Sequence, residues 1–267
     1  MTYQATVQRW DSFLAKTKQK SEDLFAQSKQ GCRMLLDLNN LDVLPMTNAW
    51  TAIEQQLHEL AHLIEDTWND KVEELFEDLD LEQDVIDVEY EKYRSAHQEL
   101  YHNKERTETF IFADAARKIF QRAKEILSKQ YSCTQCQAQL EVSNQFFRAV
   151  HIPCKYCDKV NTFDPGTQVR SVEDFCCHYL SRERTIDLFL KSQDAESVMR
   201  HNDFQFYDDM LRTEQTLQEY LVAYLKARIQ IVPEYEKDYD KDLKGRMAWF
   251  YDEVKRSPVW QKERNSK

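Results

Sequence analysis

Four cysteines stand in two pairs of equal spacing, Cys133-x-x-Cys136 and Cys154-x-x-Cys157, with 17 residues between the pairs. Each CxxC turn points two sulfurs the same way, and two such turns brought together form the tetrahedral thiolate set that suits Zn²⁺. The separation is typical of zinc sites. We therefore expect these four residues to bind one structural Zn²⁺. Free thiols, a redox pair and an Fe–S cluster are the alternatives, although a redox CxxC usually belongs to a βαβ unit that is absent here.

The residues around the pairs predict short strands at Leu140–Val142, 146–152 and Val160–Phe163. The segment 131–168 thus resembles the zinc-ribbon superfamily, in which two CxxC turns are joined by a two-strand hairpin. The resemblance implies the fold of this segment and a structural zinc, and it implies no activity. Glycine often follows the second cysteine in such turns, and here Gln137 and Asp158 stand there. Since Gln tolerates a left-handed backbone less well than Asp, we expect a slight distortion of the first turn.

A second metal motif, His58-Glu-Leu-Ala-His62, has the HExxH spacing of zinc metallopeptidases. Two histidines one helical turn apart bind one zinc, and the glutamate (Glu59) acts on the bound water. However, zincins place this helix under a β-sheet, whereas residues 1–57 are predicted to be helical. Both histidines also fall off the apolar stripe, on the solvated side. We interpret them as a surface pair and keep the peptidase as an alternative.

The remaining cysteines are predicted to be packed thiols. Cys176-Cys177-His178 offers ligand types for a second metal, but adjacent cysteines rarely bind the same ion, and aromatic residues flank them. Burial of free thiols is therefore the favoured interpretation. Cys32 stands alone in a connector.

Acidic and basic segments of the chain suggest different classes of partner. The chain carries a formal net charge of −11, and the stretch from Glu65 to Glu91 has many carboxylates and almost no cations. This stretch is either a solvated helix face or a docking face for a basic protein partner. The cysteine segment is mildly basic, which keeps nucleic-acid contact as an alternative, and exposed Phe146 or Tyr156 beside its cations would strengthen that alternative. Those cations are Lys129, Arg148, Lys155, Lys159 and Arg170.

Composition favours helices. The chain contains only 3 glycines and 5 prolines. These are too few for the many tight turns of a β-sandwich or for the glycine-rich loops of a nucleotide-binding fold. No apolar run is long enough to cross a bilayer, and the first residues do not form a secretory signal. Reduced cysteines then suit a cytoplasmic protein.

The apolar spacing predicts a mainly α fold of long antiparallel helices, resembling a coiled-coil bundle with a small inserted β zinc ribbon. We expect a first helix that ends at Gly31 and a second that begins at Thr47 or Asn48 and breaks near 78–84. Ser171-Val-Glu-Asp174 reads as a capping box that restarts helix. The predicted domains are a helical region 1–130, the ribbon 131–168 and a helical region 169–267.

The second helix is expected to bury an apolar stripe that continues through Trp68 and Val72 to Leu75 and Leu79. Aromatic residues are concentrated near the C-terminus and are expected in the core, at a partner surface or at a homo-oligomer contact. They are Tyr220, Tyr224, Tyr235, Tyr239, Trp249, Phe250, Tyr251 and Trp260.

No catalytic constellation emerges apart from HExxH. The sequence therefore favours a non-enzymatic zinc-binding adaptor or scaffold that acts through protein–protein interaction. The zinc metallopeptidase is the first alternative, and a nucleic-acid accessory protein that uses the basic ribbon is the second.

Overall fold

The computed structural model describes residues 2–79, 81–143 and 147–265. The fold is mainly α with a small antiparallel β segment, as predicted. The chain divides into two compact units, Met1–Ile111 and Phe112–Lys267. This boundary lies inside one long helix, and the three-part division expected from the sequence stays a prediction. Of the helices that the structure describes, none combines the length and the apolar content needed to cross a membrane.

The first unit is built from long helices. In chain order these are α1 (Tyr3–Leu38), α2 (Leu44–Thr67), a π-helical stretch (Trp68–Glu73), α3 (Glu74–Asp78) and the first part of α4 (Gln83–Leu127). Helices α1 and α2 are antiparallel. The Cys32 thiol at the end of α1 donates to the Met46 carbonyl at the start of α2, while Trp10 lies near Trp68 at the other end.

Helix α4 runs parallel to α1. Lys18 pairs with Glu99 at 2.6 Å, and Asp11 pairs with Lys92 at 2.8 Å. Both pairs join residues 81 positions apart, which only two helices running in the same direction can do over successive turns. The unit is therefore a bundle in which α2 is the antiparallel member.

The predicted end of the first helix and the predicted start of the second helix are both wrong. Gly31 lies within α1, because the helix goes on to bury Cys32 and Leu36, and this packing outweighs the modest helix propensity cost of one glycine. Helix α2 begins at Leu44, not at Thr47 or Asn48. Pro45 lies in its first turn, where a backbone N–H would have no acceptor within the helix, so the missing N–H of proline costs nothing. The Asp42 carboxylate accepts from the Leu44 backbone N–H at 3.0 Å.

The π-helical stretch shifts the buried face of the chain. The stripe was expected to continue from Val72 through Leu75 and Leu79, but Phe76 is fully buried instead, and both leucines are half-buried. A π-helical turn holds more residues than an α turn, so the face that meets the core advances along the sequence. The helix then ends at Asp78, and α4 begins at Gln83, which confirms the predicted break.

The second unit holds the end of α4 and a set of shorter helices around α8. They are α5 (Thr167–Ser171), a π-helical stretch (Val172–Cys176), α6 (Cys177–Arg184), α7 (Ile186–His201), α8 (Tyr207–Ile231), a 3₁₀ helix (Pro233–Asp238), α9 (Tyr239–Val254) and α10 (Pro258–Asn265). The predicted capping box at Ser171 is wrong. Helix α5 has already begun at Thr167, and the Ser171 hydroxyl donates back to the Gln168 carbonyl.

Helix α8 is the centre of this unit and packs against α6, α7 and α9. Much of the aromatic C-terminal set is core, since Tyr220, Tyr224, Phe250 and Trp260 are buried, whereas Tyr251 is 42% exposed. The buried cluster around α8 also contains Met199, Met210, Leu217, Leu221, Leu225, Met247 and Val254.

The four-cysteine region also belongs to the second unit, and we call residues 131–163 the cysteine module. Strand β1 (Tyr131–Ser132) pairs with β2 (Gln139–Leu140), and β3 (Val150–Pro153) pairs with β4 (Val160–Phe163), both antiparallel. The last predicted strand is confirmed, and part of the predicted strand 146–152 lies outside the described residues. The expected hairpin between the two cysteine pairs is not formed by the described strands. Each CxxC turn instead closes a hairpin of its own.

Candidate metal centre

The four cysteine sulfurs converge on one point. All lie within 4.8 Å of one another, with 3.6 Å between Cys133 and Cys157 and 3.5 Å between Cys136 and Cys154. These distances are far longer than a disulfide bond of about 2.05 Å. A zinc ion with Zn–S bonds of about 2.3 Å holds the sulfurs of a tetrahedron about 3.8 Å apart. The four residues predicted from the sequence are thus brought together as a group that can hold a metal ion.

The two CxxC turns have the same hydrogen bonds. In the first, the Cys133 N–H donates to the Ala138 carbonyl at 2.8 Å and the Gln137 N–H donates to the Cys133 carbonyl at 3.0 Å. In the second, Cys154 and Asp158 repeat this pattern with bonds of 2.9 and 3.0 Å. Gln137 and Asp158 both adopt the left-handed conformation, with φ of 63° and 56°. The distortion expected at Gln137 is therefore absent, and glutamine accepts the left-handed backbone that this turn requires.

Asn161, on β4, ties the first turn to the second hairpin. Its side-chain oxygen accepts from the Thr134 N–H at 2.9 Å and from the Thr134 hydroxyl at 3.0 Å. Its amide nitrogen donates to the Lys159 carbonyl at 2.9 Å and lies 3.5 Å from the Cys133 sulfur. Asn161 is buried, and it supplies the outer shell that orients a metal ligand.

Sequence reasoning missed Asn161, although one signal was present. Alternation along Val160–Phe163 places Asn161 on the same side as Phe163, and the structure buries both residues. A polar side chain on the inward face of a strand requires a hydrogen-bonding partner. The nearby cysteine turns were the place to look for that partner.

The sulfurs differ in acidity. Hydrogen bonds from the backbone at Cys136 and Gln135 lower the pKa of the Cys133 thiol to about 6, with help from Asn161. The backbone N–H of Lys159 lowers the pKa of the Cys157 thiol, but burial and the three neighbouring sulfurs outweigh it and raise that pKa to about 12. Four crowded sulfurs thus cannot all carry negative charge unless a cation neutralises them, which is the role of a divalent metal.

The HExxH residues lie on the surface of α2. The Nε2 atoms of His58 and His62 are 2.9 Å apart, and His62 Nδ1 lies 3.6 Å from a Glu65 carboxylate oxygen. Glu59 is exposed and accepts a hydrogen bond from Gln55. Among the described residues, only the cysteine quartet forms a converging group of three or more possible ligands. Within the described part of the chain, the histidine pair therefore has no third protein ligand of the kind that zinc peptidases use.

Cys176, Cys177 and His178 do not form a metal site in the described residues. Both thiols are buried, and the thiol of Cys177 donates to the Arg228 carbonyl at 3.7 Å. His178 Nδ1 lies 2.8 Å from the Tyr224 hydroxyl. Burial raises the pKa of Cys176 to about 12, so its thiol stays protonated and is a poor ligand. Cys32 is buried between α1 and α2.

Three of the five cations considered for nucleic-acid contact lie close to carboxylates. Lys155 pairs with Glu141 at 2.7 Å, Arg148 pairs with Glu173, and Arg170 lies 3.9 Å from Asp164. Tyr156 is 80% exposed at the tip of the second turn. The other aromatic residue considered for nucleic-acid contact, Phe146, lies outside the described residues. Lys129 and Lys159 are exposed and have no carboxylate partner among the described residues, so they are the cations left for phosphate contacts.

Part of the stretch from Glu65 to Glu91 forms a surface that we call the acidic face. Its carboxylates are exposed, and none of them forms an ion pair with a described residue. The other acids of the stretch include Glu89, which is buried and pairs with Lys92 at 2.9 Å. The acidic face consists of Asp66, Asp70, Glu74, Glu77 and Asp78.

Comparisons with protein-family models, with curated proteins and with solved structures found no match to this chain. The interpretation of the site therefore depends on its geometry.

Proposed function

We propose that Cys133, Cys136, Cys154 and Cys157 hold one structural Zn²⁺ in a zinc ribbon, within a non-enzymatic cytoplasmic adaptor or scaffold protein. The observation that supports this proposal most directly is the convergence of four cysteine sulfurs within 4.8 Å. Four protein ligands complete a tetrahedral shell and leave no position for a water molecule or a substrate. The ion would therefore act by folding the module.

The size of the module supports a structural role for the ion. Its strands are two to four residues long, and the buried cluster at the cysteines contains Cys133, Leu140 and Cys154, with four partly buried hydrophobic residues packed against it. So small a core cannot offset the loss of chain entropy, so folding must draw on metal binding. The first ligand also receives N–H donors from Gln135 and Asn161, as structural thiolates do.

The acidic face supports the adaptor part of the proposal. Exposed carboxylates run from Asp66 in α2 to Asp78 in α3, and Lys71 is the one cation between them. Like charges held close together repel each other and attract a partner of opposite charge. We therefore propose that the protein partner is basic and docks on this surface. Charge complementarity of this kind mainly sets partner choice and the rate of association.

Metal content per chain tests the zinc proposal. Protein purified without added zinc is analysed for all metals, together with a Cys154→Ser variant and a His58→Ala/His62→Ala variant. We expect one zinc per chain in the natural protein, none in the cysteine variant and one in the histidine variant. Iron in place of zinc, or no metal, would reject the zinc site. A second zinc that disappears in the histidine variant would favour the peptidase.

Charge neutralisation tests the adaptor proposal. An Asp70→Asn/Glu74→Gln/Glu77→Gln variant is crosslinked in a cell extract beside a control with the same change in charge on the second unit, Glu234→Gln/Glu236→Gln/Asp240→Asn. We expect a protein with a basic surface to be crosslinked to the natural chain and to the control, and lost from the first variant. Equal capture by both variants would reject the acidic face as the docking surface.

A further inference from the structure

An apolar cavity lies between α1 and the segment that follows α2. Its volume is about 460 Å³, within the range of about 300–1,000 Å³ that is common for ligand pockets. Trp10 and Val72 line it and are buried. Phe13 and Leu75 also line it but are half-buried, so they lie nearer the surface. The residues that line the cavity all belong to the first unit, so the cavity is a feature of that unit.

The π-helical stretch Trp68–Glu73 builds one side of the cavity. It contributes the apolar Val72 together with the charged Asp70 and Lys71. Glu74 follows at the start of α3 and lines the cavity as well. Single π-helical turns between α-helical segments occur frequently at functional sites. One stretch of chain thus gives the cavity both an apolar wall and a charged rim.

This rim is part of the acidic face. Asp70 and Glu74 belong to that face, are exposed and have no ion-pair partner among the described residues. Lys71 is an exposed cation at the rim, and Arg9 lines the cavity from α1 and takes part in an interaction of its own. Over the whole segment 66–78, carboxylates far outnumber cations. The cavity therefore opens beside a surface of net negative charge.

An apolar centre with a charged rim is the general arrangement of protein–protein interfaces. Aromatic side chains that fill pockets at such centres are frequent anchors of binding. The Trp10 and Phe13 rings are stacked, with their centroids 5.6 Å apart, and they offer aromatic surface to an incoming ring. Cations next to that ring in the partner would meet the carboxylates of the rim, where complementary charge selects the partner.

We infer that this cavity holds an aromatic side chain of the basic protein partner, and that lysine or arginine residues beside that side chain contact Asp70 and Glu74. The inference rests on the proposed docking of a basic partner on the acidic face, and it specifies the partner segment that docks. A segment with cations alone would match the face but leave the cavity unfilled. An aromatic residue among carboxylates would be repelled at the rim.

Short peptides test the inference on the full-length protein. The probes are Lys-Lys-Phe-Lys-Lys, Lys-Lys-Ala-Lys-Lys and Glu-Glu-Phe-Glu-Glu, each with the same dye on the same linker, and fluorescence anisotropy measures their binding. We expect the lysine peptide with phenylalanine to bind about tenfold more tightly than the lysine peptide with alanine, because the buried ring adds binding free energy. The glutamate peptide should bind more weakly than the lysine peptide with phenylalanine.

Protein variants separate the cavity from the charge of its rim. Leu75→Gln should reduce the preference for phenylalanine, because it makes one wall of the cavity polar. Leu79→Gln is the matched control, since Leu79 is a half-buried leucine of the same acidic segment and is not among the lining residues. Asp70→Asn/Glu74→Gln should weaken the binding of both lysine peptides, and Lys71→Gln should strengthen it. Circular dichroism checks that each variant keeps its helices.

Three results would overturn the inference. They are equal binding of the two lysine peptides, an equal loss of preference in Leu75→Gln and Leu79→Gln, and binding of the glutamate peptide as tight as that of the lysine peptide with phenylalanine. Equal binding of both lysine peptides that is lost in Asp70→Asn/Glu74→Gln would reject the cavity alone and leave the acidic face as a docking surface. Failure of every lysine peptide to bind would also reject the cavity, whereas crosslinking in a cell extract tests the docking face independently.

Discussion

Asn161 makes one cysteine turn depend on the other. Its amide contacts the backbone of Thr134 in the first turn, the carbonyl of Lys159 in the second and the sulfur of Cys133. The four ligands were predictable from their spacing, because a CxxC turn is a local structure. Asn161 was not, because its partners are brought to it only when the two hairpins meet. Local spacing thus predicts the ligands, and tertiary contact is needed to recognise what orients them.

The Asn161→Ala variant should bind zinc more weakly. The loss of an outer-shell hydrogen bond typically lowers metal affinity by about 10- to 100-fold, and here the first turn would also lose its tie to β4. Competition with a chromophoric chelator measures the affinity. Lys159→Ala is the control, because its side chain is exposed and the chain there contributes through its backbone carbonyl. Equal affinities in the two variants would contradict the assigned role of Asn161.

His178 should make the protein less stable in mild acid. Burial and three arginines lower its pKa to about 4 in the folded state, whereas an unfolded histidine titrates near 6.5. Between these values the unfolded chain binds a proton that the folded chain does not, so stability falls as the pH falls. From about pH 7 to about pH 5 the loss is on the order of 2 kcal/mol.

Denaturant unfolding at the two pH values measures this effect. The His178→Gln variant cannot take up the proton when it unfolds, so its stability should fall less than that of the natural protein over the same interval. His201→Gln is the control, because His201 is exposed at the end of α7. The same pH dependence in the natural protein and in both variants would show that His178 is not the titrating group.

Helix ends were harder to predict from the sequence than the break between two helices. Gly31 was expected to end the first helix because glycine often follows a helix C-terminus, yet α1 continues to Leu38. The helix continues because Cys32 and Leu36 beyond Gly31 reach the core, and such long-range packing is invisible to local propensity. The break before α4 was predictable, since apolar and acidic residues alternate over 78–84 and interrupt the helical spacing. Local signals therefore located a break between helices but misplaced helix ends.

Replacing Gly31 and Gly166 by alanine should change the free energy of unfolding in opposite directions. A β-carbon on Gly31 would meet no atom within 4 Å, and the residue lies inside a helix, so Gly31→Ala should raise the free energy of unfolding by about 0.5–1 kcal/mol. Gly166 has φ of 82° and ψ of 171°, a conformation almost restricted to glycine. Gly166→Ala should therefore lower the free energy of unfolding by about 1–3 kcal/mol.

Urea unfolding of the two variants measures both changes. Gly245→Ala is a second test of the first argument, because Gly245 lies inside α9 and also has open space around its β-carbon. Destabilisation by Gly31→Ala would mean that α1 does not continue through residue 31 in solution.

At the scale of the whole molecule, metal dependence should be local. The four ligands and both small sheets lie between residues 131 and 163, whereas the helices of the first unit have cores without any of the four ligands. Chelation should therefore abolish the amide-exchange protection of the cysteine module and weaken it in the adjoining ends of α4 and α5. Protection of α1 and α2 should persist.

Hydrogen exchange read by mass spectrometry, with and without chelator, checks this expectation. The Cys154→Ser variant should reproduce the chelated pattern without any chelator, which separates metal loss from side effects of the reagent. Loss of protection spread evenly over both units would contradict a purely local role for the metal.

The position of the cysteine module along the chain bears on biosynthesis. Ribosomes complete α1, α2 and the first half of α4 well before Cys154 and Cys157 are added, and the first unit ends at Ile111. Nascent domains generally fold as they emerge, the N-terminal one first. The first unit can then fold before the metal site is complete, and under the proposed zinc assignment only the later part of the chain depends on the zinc supply. A zinc-starved cell would thus accumulate chains that are folded in the first unit and carry exposed thiols in the second. Proteases and chaperones can recognise such partly unfolded chains.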